Sequence, residues 1–160
     1  MTGHILKFTI LVNINIAIER RKVQLSTRAR YGLRALLDIA QSADNGPVLL
    51  RQIAERQELS RPYLEQLILA LQSAGFIRSI RGKKGGFVLV RNPSDITLDE
   101  VVNALERTVS LVRCVNDAQV CSRSINCVTR KLWMRLADAL HSELKGLTLK
   151  DLMEWQNASA

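Results

Sequence analysis

The three cysteines of this 160-residue chain lie within fourteen consecutive residues, and no other residues in the chain offer such distinctive chemistry. Cys114, Cys121 and Cys127 are separated by six and five residues, and arginines lie between and beside them. Thiolates are soft ligands for iron, zinc and iron-sulfur clusters, and nearby cations lower the pKa of a thiol. The segment therefore predicts a metal site or a redox switch. The alternative is three unrelated small apolar side chains, but the residues between them lack the periodicity of a core element.

Composition and cysteine count favour a globular protein of the cytoplasm. The chain is 47% hydrophobic, which is enough for one domain with a core, or for a small domain plus an oligomerising element. An odd number of cysteines without an export signal argues against a secreted disulfide framework. We therefore expect a reducing cytoplasm, which favours a metal over a disulfide.

The N-terminal segment has the pattern of neither a cleaved signal peptide nor a membrane span. Residues 5–18 resemble the core of a signal peptide, but polar residues interrupt them and a charged Glu-Arg-Arg-Lys run replaces the cleavage site. No run reaches the eighteen apolar residues of a membrane span, so we expect no membrane partner. The codons of that charged run can spell a ribosome-binding sequence ahead of a start at Val23. We expect residues 1–22 to be a disordered or mis-assigned extension.

Charge is unevenly distributed along the chain, whose net charge is +8. Residues 23–91 contain eleven Lys or Arg and five Asp or Glu, a balance of +6, whereas residues 92–160 have a balance of −1. The basic half is a candidate for binding a polyanion, although a solvated cationic surface is the common alternative.

The basic half has the pattern of a winged helix. A first helix is capped at Ser26 or Thr27, a second covers residues 49–56, and a third is capped at Ser60. Two short helices joined by a tight turn form a helix-turn-helix. Alternating residues on either side of the basic, glycine-bearing tip at 81–86 then predict a β-hairpin. We predict a mainly α fold with a small β-hairpin wing, in which residues 23–92 form a winged helix-turn-helix DNA-binding domain.

The second half is predicted to connect that domain to a dimer contact. Thr97 and Glu100 form a capping box at the start of a connecting helix, which together with the cysteine loop spans residues 93–127. Residues 128–146 are predicted to form a long dimerisation helix, and residues 147–160 a short C-terminal helix and tail. The long helix carries an apolar residue at every fourth position: Val128, Leu132, Leu136, Leu140 and Leu144. We interpret this stripe as the contact of a homodimer, with packing against the winged domain as the alternative.

Four segments resemble the IscR/NsrR/CymR family of bacterial winged-helix regulators. They are residues 25–38, 53–56, 63–67 and 80–89, which resemble the first helix, second helix, recognition helix and wing of that family. The three cysteines make the chain most similar to the IscR branch. The resemblance implies a double-stranded DNA operator, a homodimer, and an iron-sulfur cluster on Cys114, Cys121 and Cys127. That cluster is expected to be 2Fe-2S, with 4Fe-4S as the alternative, and cluster-delivery proteins are possible partners.

The sequence offers several candidates for the fourth ligand of such a cluster. Arg130 stands where the IscR branch has a histidine ligand, and Arg30 stands where the nitric oxide sensing branch has an acidic one. A protonated guanidinium has no free lone pair and is a poor ligand. The remaining candidates are Asp117, His141, Glu106, a small thiol, or no protein group at all.

The resemblance also assigns the DNA contacts. Glu65 and Gln66 are expected to read bases, because Glu can accept from cytosine and Gln can bracket adenine. Arg81 is expected to contact the minor groove or a phosphate. Phosphate contacts are expected from the remaining candidates, which are Arg28, Ser60, Arg61, Tyr63, Lys83 and Lys84.

These observations predict a transcriptional regulator, expected to be a repressor, whose DNA binding is modulated by the cluster in response to cluster supply, redox state or nitric oxide. The first alternative is a cluster-free repressor of the same fold, controlled by thiol redox chemistry or by a partner protein. A more remote alternative is an iron-sulfur or zinc protein without a DNA target. No phosphate loop, zinc-protease motif or nucleophile elbow is present in the sequence, so we do not expect an enzyme.

Overall fold

The computed structural model describes residues 25–82, 84–106 and 112–159. The predicted N-terminal extension and the predicted phosphate contact Lys83 lie outside these residues. The described part contains seven α-helices and one two-stranded sheet. The helices are α1 (Thr27–Gln41), α2 (Leu50–Gln57), α3 (Arg61–Ser73), α4 (Leu98–Leu105), α5 (Arg113–Asn116), α6 (Val128–Gly146) and α7 (Leu149–Ala158). The strands are β1 (Ile77–Ile80) and β2 (Gly86–Leu89), so the predicted mainly α fold with a hairpin is confirmed.

Helix α1 lies at the centre of the core and contacts α2, α3, α4, α7 and β2. Its buried face meets the apolar faces of the neighbouring helices through fully buried residues such as Leu36, Ile53 and Leu64. A Cβ added to Gly32 would lie 2.5 Å from a methyl carbon of Leu105, so α1 and α4 approach closely at this position. The absence of a side chain at Gly32 therefore sets the distance between the first helix and the connecting helix.

The helix-turn-helix is stabilised by local caps and by a partly buried ion pair. The Ser26 hydroxyl accepts from the Ala29 amide at 3.1 Å, which confirms Ser26 as the cap of α1. Ser60 also occupies the N-cap of α3, but its side chain makes no capping hydrogen bond there. Arg56 of α2 donates from Nε to both carboxylate oxygens of buried Asp38 at 3.0 and 3.1 Å. This ion pair fixes α2 against α1. Helix α3 follows α2 directly in the chain.

The wing is an antiparallel hairpin in which Ile77 pairs with Leu89 and Ile80 with Gly86. Phe87 also exchanges two backbone hydrogen bonds with Val48, of 2.8 and 3.0 Å. The predicted alternation of burial is absent from β2, whose residues are all half-buried. Phe87 and Leu89, which lie on one face of β2, still pack against the hydrophobic core.

The C-terminal half returns to the winged domain through its last helix. Thr97 and Glu100 form the predicted capping box at the start of α4. Backbone hydrogen bonds of 2.9 Å join Leu98 to Leu147 and Leu149 to Ile96, so the start of α7 is held beside the start of α4. The 19-residue helix α6 is different, because Ala137 is its only buried residue. Among the helices described, none is long and apolar enough to cross a membrane.

Candidate functional site

Helix α3 presents a polar face to solvent and an apolar face to the core. Arg61, Glu65 and Gln66 are exposed, whereas Leu64 and Leu67 are fully buried. The predicted base-reading pair therefore lies on an accessible surface of the second helix of a helix-turn-helix, the element that enters the major groove in this motif. This arrangement makes α3 the candidate DNA-reading helix.

Two aromatic rings tie the reading helix to α1. The Tyr63 ring packs edge-on against Tyr31, with centroids 6.2 Å apart and planes at 88°. The guanidinium groups of Arg30 and Arg34 lie 5.8 and 5.4 Å from the Tyr31 centroid, in the range of cation–π contacts. Tyr63 is half-buried. Arg30, which the sequence places where the nitric oxide sensing branch has an acidic ligand, contacts the Tyr31 ring here.

Arg28 lies in a groove of about 450 Å³ where α1, α3 and α4 meet. Gln66, Leu69 and Ala104 line the same groove. The Arg28 Nε atom is buried, and within the described residues it has no hydrogen-bond partner. Arg28 thus lies beside α3, and its contact with a phosphate stays a prediction.

The wing tip carries exposed cations on a tightly turned backbone. Arg81 and Lys84 are exposed. The Gly85 amide donates to the Gly82 carbonyl at 2.9 Å, and a Cβ at Gly85 would lie 2.3 Å from the Ile80 carbonyl oxygen. Only glycine fits at position 85, so the close turn that exposes the two cations depends on it.

The cysteine loop connects α4 to α6 and does not gather its thiols. Cys114 lies in α5, Cys121 is exposed after a short 3-10 turn, and Cys127 is the N-cap of α6. All three are free thiols. In the described part of the chain, no three Cys, His, Asp or Glu side chains converge as a metal-ligand group. The predicted ligands thus share one loop but not one point in space.

The surroundings of Cys127 lower the pKa of its thiol. Its Sγ lies 3.1 Å from the Thr129 hydroxyl. That hydrogen bond, the Arg130 backbone amide and the charge of Arg123 together lower the pKa of the Cys127 thiol. The thiolate is the form of cysteine that binds metals and reacts with oxidants. A lowered pKa therefore favours both metal binding and oxidation at Cys127.

The candidate fourth ligands have other partners. Glu106 accepts from the Ser26 amide at 2.7 Å. His141 Nδ1 lies 2.6 Å from a carboxylate oxygen of Asp99, and Asp117 accepts from the Gln119 amide at 2.8 Å. In this conformation none of the three side chains is directed at the thiols as an unpartnered donor.

Arg130, at the position of the family's histidine ligand, is also engaged. Its Nε donates to the Cys114 carbonyl oxygen at 2.7 Å. The contact joins the start of the cysteine loop to the first turn of α6. Arg130 therefore supplies no cluster ligand at this position and instead holds the two ends of the cysteine loop together.

Three features of the structure were missed by reasoning from the sequence. The Glu106–Ser26 and Asp99–His141 contacts join residues that are 80 and 42 positions apart, and no local sequence pattern predicts such contacts. The third is Leu69, which is exposed on α3. Its spacing of four and three residues from Glu65 and Gln66 was a readable helical signal, because such residues share one face.

Comparison with known proteins agrees with this architecture. The family model described as "Rrf2: Iron-dependent Transcriptional regulator" matches residues 25–155. Protein rrf2 of Nitratidesulfovibrio vulgaris is 43% identical over 131 residues, which cover 82% of this chain and 87% of that protein. The structure of IscR from T. potens has a TM-score of 0.68 at 36% identity and covers 82% of this chain and 87% of its own.

A second solved structure is equally similar. CymR, the global cysteine regulator of B. subtilis, has a TM-score of 0.70 at 36% identity, covering 84% of this chain and 98% of its own. The relatives named as IscR and CymR are regulators and not enzymes. These matches confirm the resemblance seen in the sequence: the chain belongs to the Rrf2 family and is a transcriptional regulator of the IscR/CymR type.

Proposed function

We propose that this protein is a homodimeric cytoplasmic repressor whose binding to a pseudo-palindromic operator is modulated by an iron-sulfur cluster on Cys114, Cys121 and Cys127. The observation that carries the proposal is the position of the cysteine loop. It lies between α4, which packs on the first helix of the DNA-binding domain, and α6, whose apolar stripe is uncovered. A change in this loop can therefore act on the DNA-reading domain and on the subunit contact.

The exposed stripe of α6 supports the homodimer. Val128 is 76% exposed and Leu132 is 51% exposed, and Leu136 and Leu140 continue the same stripe. Burying apolar surface is worth roughly 25 cal/mol per Å², so two copies gain by covering these side chains against each other. A symmetric dimer would then present two α3 helices to major grooves about 34 to 36 Å apart.

The donor types of the loop match a cluster, although among the described residues the three thiols do not converge and Arg130 occupies the fourth position. Three thiols on one loop, with the pKa of Cys127 lowered, match the soft thiolate ligands that iron-sulfur clusters require. When bound, a cluster of the 2Fe-2S type, or alternatively 4Fe-4S, would supply redox-sensitive chemistry at this loop. Because Arg130 replaces a histidine ligand, we propose that the fourth ligand is exchangeable and that the site is labile. Lability suits a sensor of cluster supply, oxygen or nitric oxide, loaded by cluster-delivery proteins.

The chain offers a direct connection from the loop to the DNA-binding domain. Glu106 ends α4 at the entrance to the loop and accepts from the Ser26 amide, while the Ser26 hydroxyl caps α1. Arg28, a predicted phosphate contact, lies in this first turn of α1. We propose that a rearrangement of the loop displaces Glu106 and thereby repositions Arg28.

Anaerobic purification followed by metal analysis tests the proposal. We expect visible absorption, stoichiometric iron and sulfide, and little zinc, with loss of the colour in Cys121→Ala. Fluorescence binding to promoter fragments should weaken steeply with salt, because cations on the protein displace counterions from DNA. Zinc without sulfide, or DNA affinity that is identical for loaded and unloaded protein, would contradict cluster control.

A second candidate keeps the fold and omits the cluster. The observation favouring it is that Arg130, Glu106, His141 and Asp117 all have other partners, so that the loop lacks a ready fourth donor. The solved structure of CymR is also as similar as that of IscR. Colourless, iron-free protein that binds its operator in a thiol-dependent manner would favour this alternative.

A further inference from the structure

Helix α3 carries one large apolar side chain on its solvent-facing side. Leu69 is 64% exposed, whereas the other three leucines of the helix, Leu64, Leu67 and Leu71, are fully buried. Leu69 follows Glu65 by four residues and Gln66 by three, so the three side chains share one face. The face predicted to read bases therefore ends in an apolar group.

The surroundings of Leu69 connect it to the proposed DNA contacts and not to the core. Leu69 lines a groove with Gln66 and Arg28, a base-reading and a phosphate-contacting candidate. Ala70, Ala74 and Ala104 form its remaining apolar wall, and none of them covers Leu69. A ligand that approaches this groove thus meets a cation, an amide and a methyl-bearing side chain together.

The spacing of this face suits a helix lying in a major groove. Homeodomains read bases with positions spaced by three, one and three residues along one helix. Pro62, Glu65, Gln66 and Leu69 have the same spacing in α3. At 1.5 Å per residue, Leu69 lies about 6 Å along the helix axis from Glu65, within reach of a neighbouring base pair.

We propose that Leu69 is a specificity-determining residue that packs against the C5-methyl group of a thymine in each operator half-site. The proposal rests on the proposed function, since it requires an operator. Thymine is the base that offers an apolar group in the major groove, and aliphatic side chains are its ordinary partners there. Glu65 and Gln66 would select by hydrogen bonding, and Leu69 would select by shape and apolar contact.

The test begins with selection of an operator from random duplexes by the full-length protein. The thymines of the selected site are then replaced by uracil one position at a time. Uracil keeps base pairing and removes only the methyl group. At one thymine per half-site, we expect uracil to weaken binding by the unmodified protein about three- to fivefold. Leu69→Ala should bind both duplexes equally, and Leu69→Met, which keeps an apolar side chain, should retain the discrimination.

The possible failures are distinguishable. If no duplex is selected, the proposed function fails and the inference fails with it. If an operator is selected but every uracil substitution affects the unmodified protein and Leu69→Ala to the same extent, Leu69 does not read thymine while the proposed function stands. Circular dichroism of both variants confirms folding, which the exposure of Leu69 leads us to expect.

Discussion

The Nε atom of Arg130 donates a hydrogen bond to the backbone carbonyl of Cys114 at 2.7 Å, across sixteen positions of the sequence. The contact closes the cysteine loop onto the first turn of α6. A hydrogen bond from a charged donor to a partly buried carbonyl is stronger than a hydrogen bond between two neutral groups. Arg130 therefore positions the loop that carries the three thiols, and its guanidinium is no substitute for a ligand.

Arg130→His should lengthen the lifetime of the proposed cluster once it has been reconstituted. The substitution removes the contact with Cys114 and supplies an imidazole nitrogen, a common iron ligand, next to the thiols. After anaerobic reconstitution, we expect the visible absorption to decay in air several-fold more slowly than in the unmodified protein. Arg130→Ala, which removes the same contact without adding a donor, is the matched control and should decay faster. Equal lifetimes for the two variants would disprove the expected role of the imidazole.

Glu106→Ala should uncouple the loop from α1. We expect a loss of about 1 kcal/mol in the free energy of unfolding, because the partly buried Ser26 amide loses its acceptor. The difference in operator affinity between loaded and unloaded protein should also shrink. Glu106→Gln keeps an acceptor oxygen at this position and should preserve both properties. Urea unfolding and fluorescence anisotropy provide the two measurements, and an unchanged affinity difference in Glu106→Ala would contradict the proposed connection.

Glu65→Ala and Lys84→Ala should alter DNA binding in different ways. Loss of the Glu65 carboxylate removes a base-reading group, so selection from random duplexes should recover a more permissive operator. Loss of the Lys84 charge should weaken binding to all duplexes similarly and reduce the salt slope by about 1, as expected for one phosphate contact. A selected operator that is as restricted for Glu65→Ala as for the unmodified protein, or more so, would contradict base reading by Glu65. A loss of affinity that depends on DNA sequence in Lys84→Ala would contradict a phosphate contact by Lys84.

Gly32→Ala should destabilise the fold through the contact of α1 with α4. The added methyl group would lie 2.5 Å from the buried side chain of Leu105, which has to move against a packed core. We expect a cost of about 1 to 3 kcal/mol in the free energy of unfolding, typical of overpacking. Gly146→Ala is the control, because the added Cβ would meet no described atom within 4 Å beyond its chain neighbours and its own helix backbone. It should be neutral or slightly stabilising.

The capping box of α4 should make stability depend on acid pH. Hydrogen bonds from the Thr97 backbone amide and from Arg91 lower the pKa of Glu100 below its ordinary value. The contribution of the ionised Glu100 side chain to the free energy of unfolding is therefore fully present above the pKa of an unfolded glutamate, about 4.3. It is lost as the pH falls through the lowered pKa of the folded state. Glu100→Gln should reduce the fall in Tm between pH 5 and pH 3. Glu154→Gln, on the exposed side of α7, controls for the loss of one carboxylate, and an equal effect of both substitutions would contradict the prediction.

The sequence by itself determined the local elements of this protein. The caps at Ser26 and Thr97, the order of the first three helices, and the glycine-bearing hairpin all follow from spacing and turn chemistry. The second helix, predicted over residues 49–56, spans Leu50–Gln57, and the first and third helices begin directly after Ser26 and Ser60. These features are readable because helices and strands repeat every 3.6 and 2 residues and because caps are local.

Only the tertiary structure decided how distant residues meet around the cysteine loop. Glu106 meets Ser26, Asp99 meets His141, and Arg130 meets the Cys114 carbonyl, although no periodic pattern relates the members of these pairs. Closeness in sequence likewise did not bring the three thiols to one point, because a loop without periodicity follows its own turns and hydrogen bonds. Side-chain partners are chosen by the packing of whole helices, and that packing depends on shape and burial summed over the entire core.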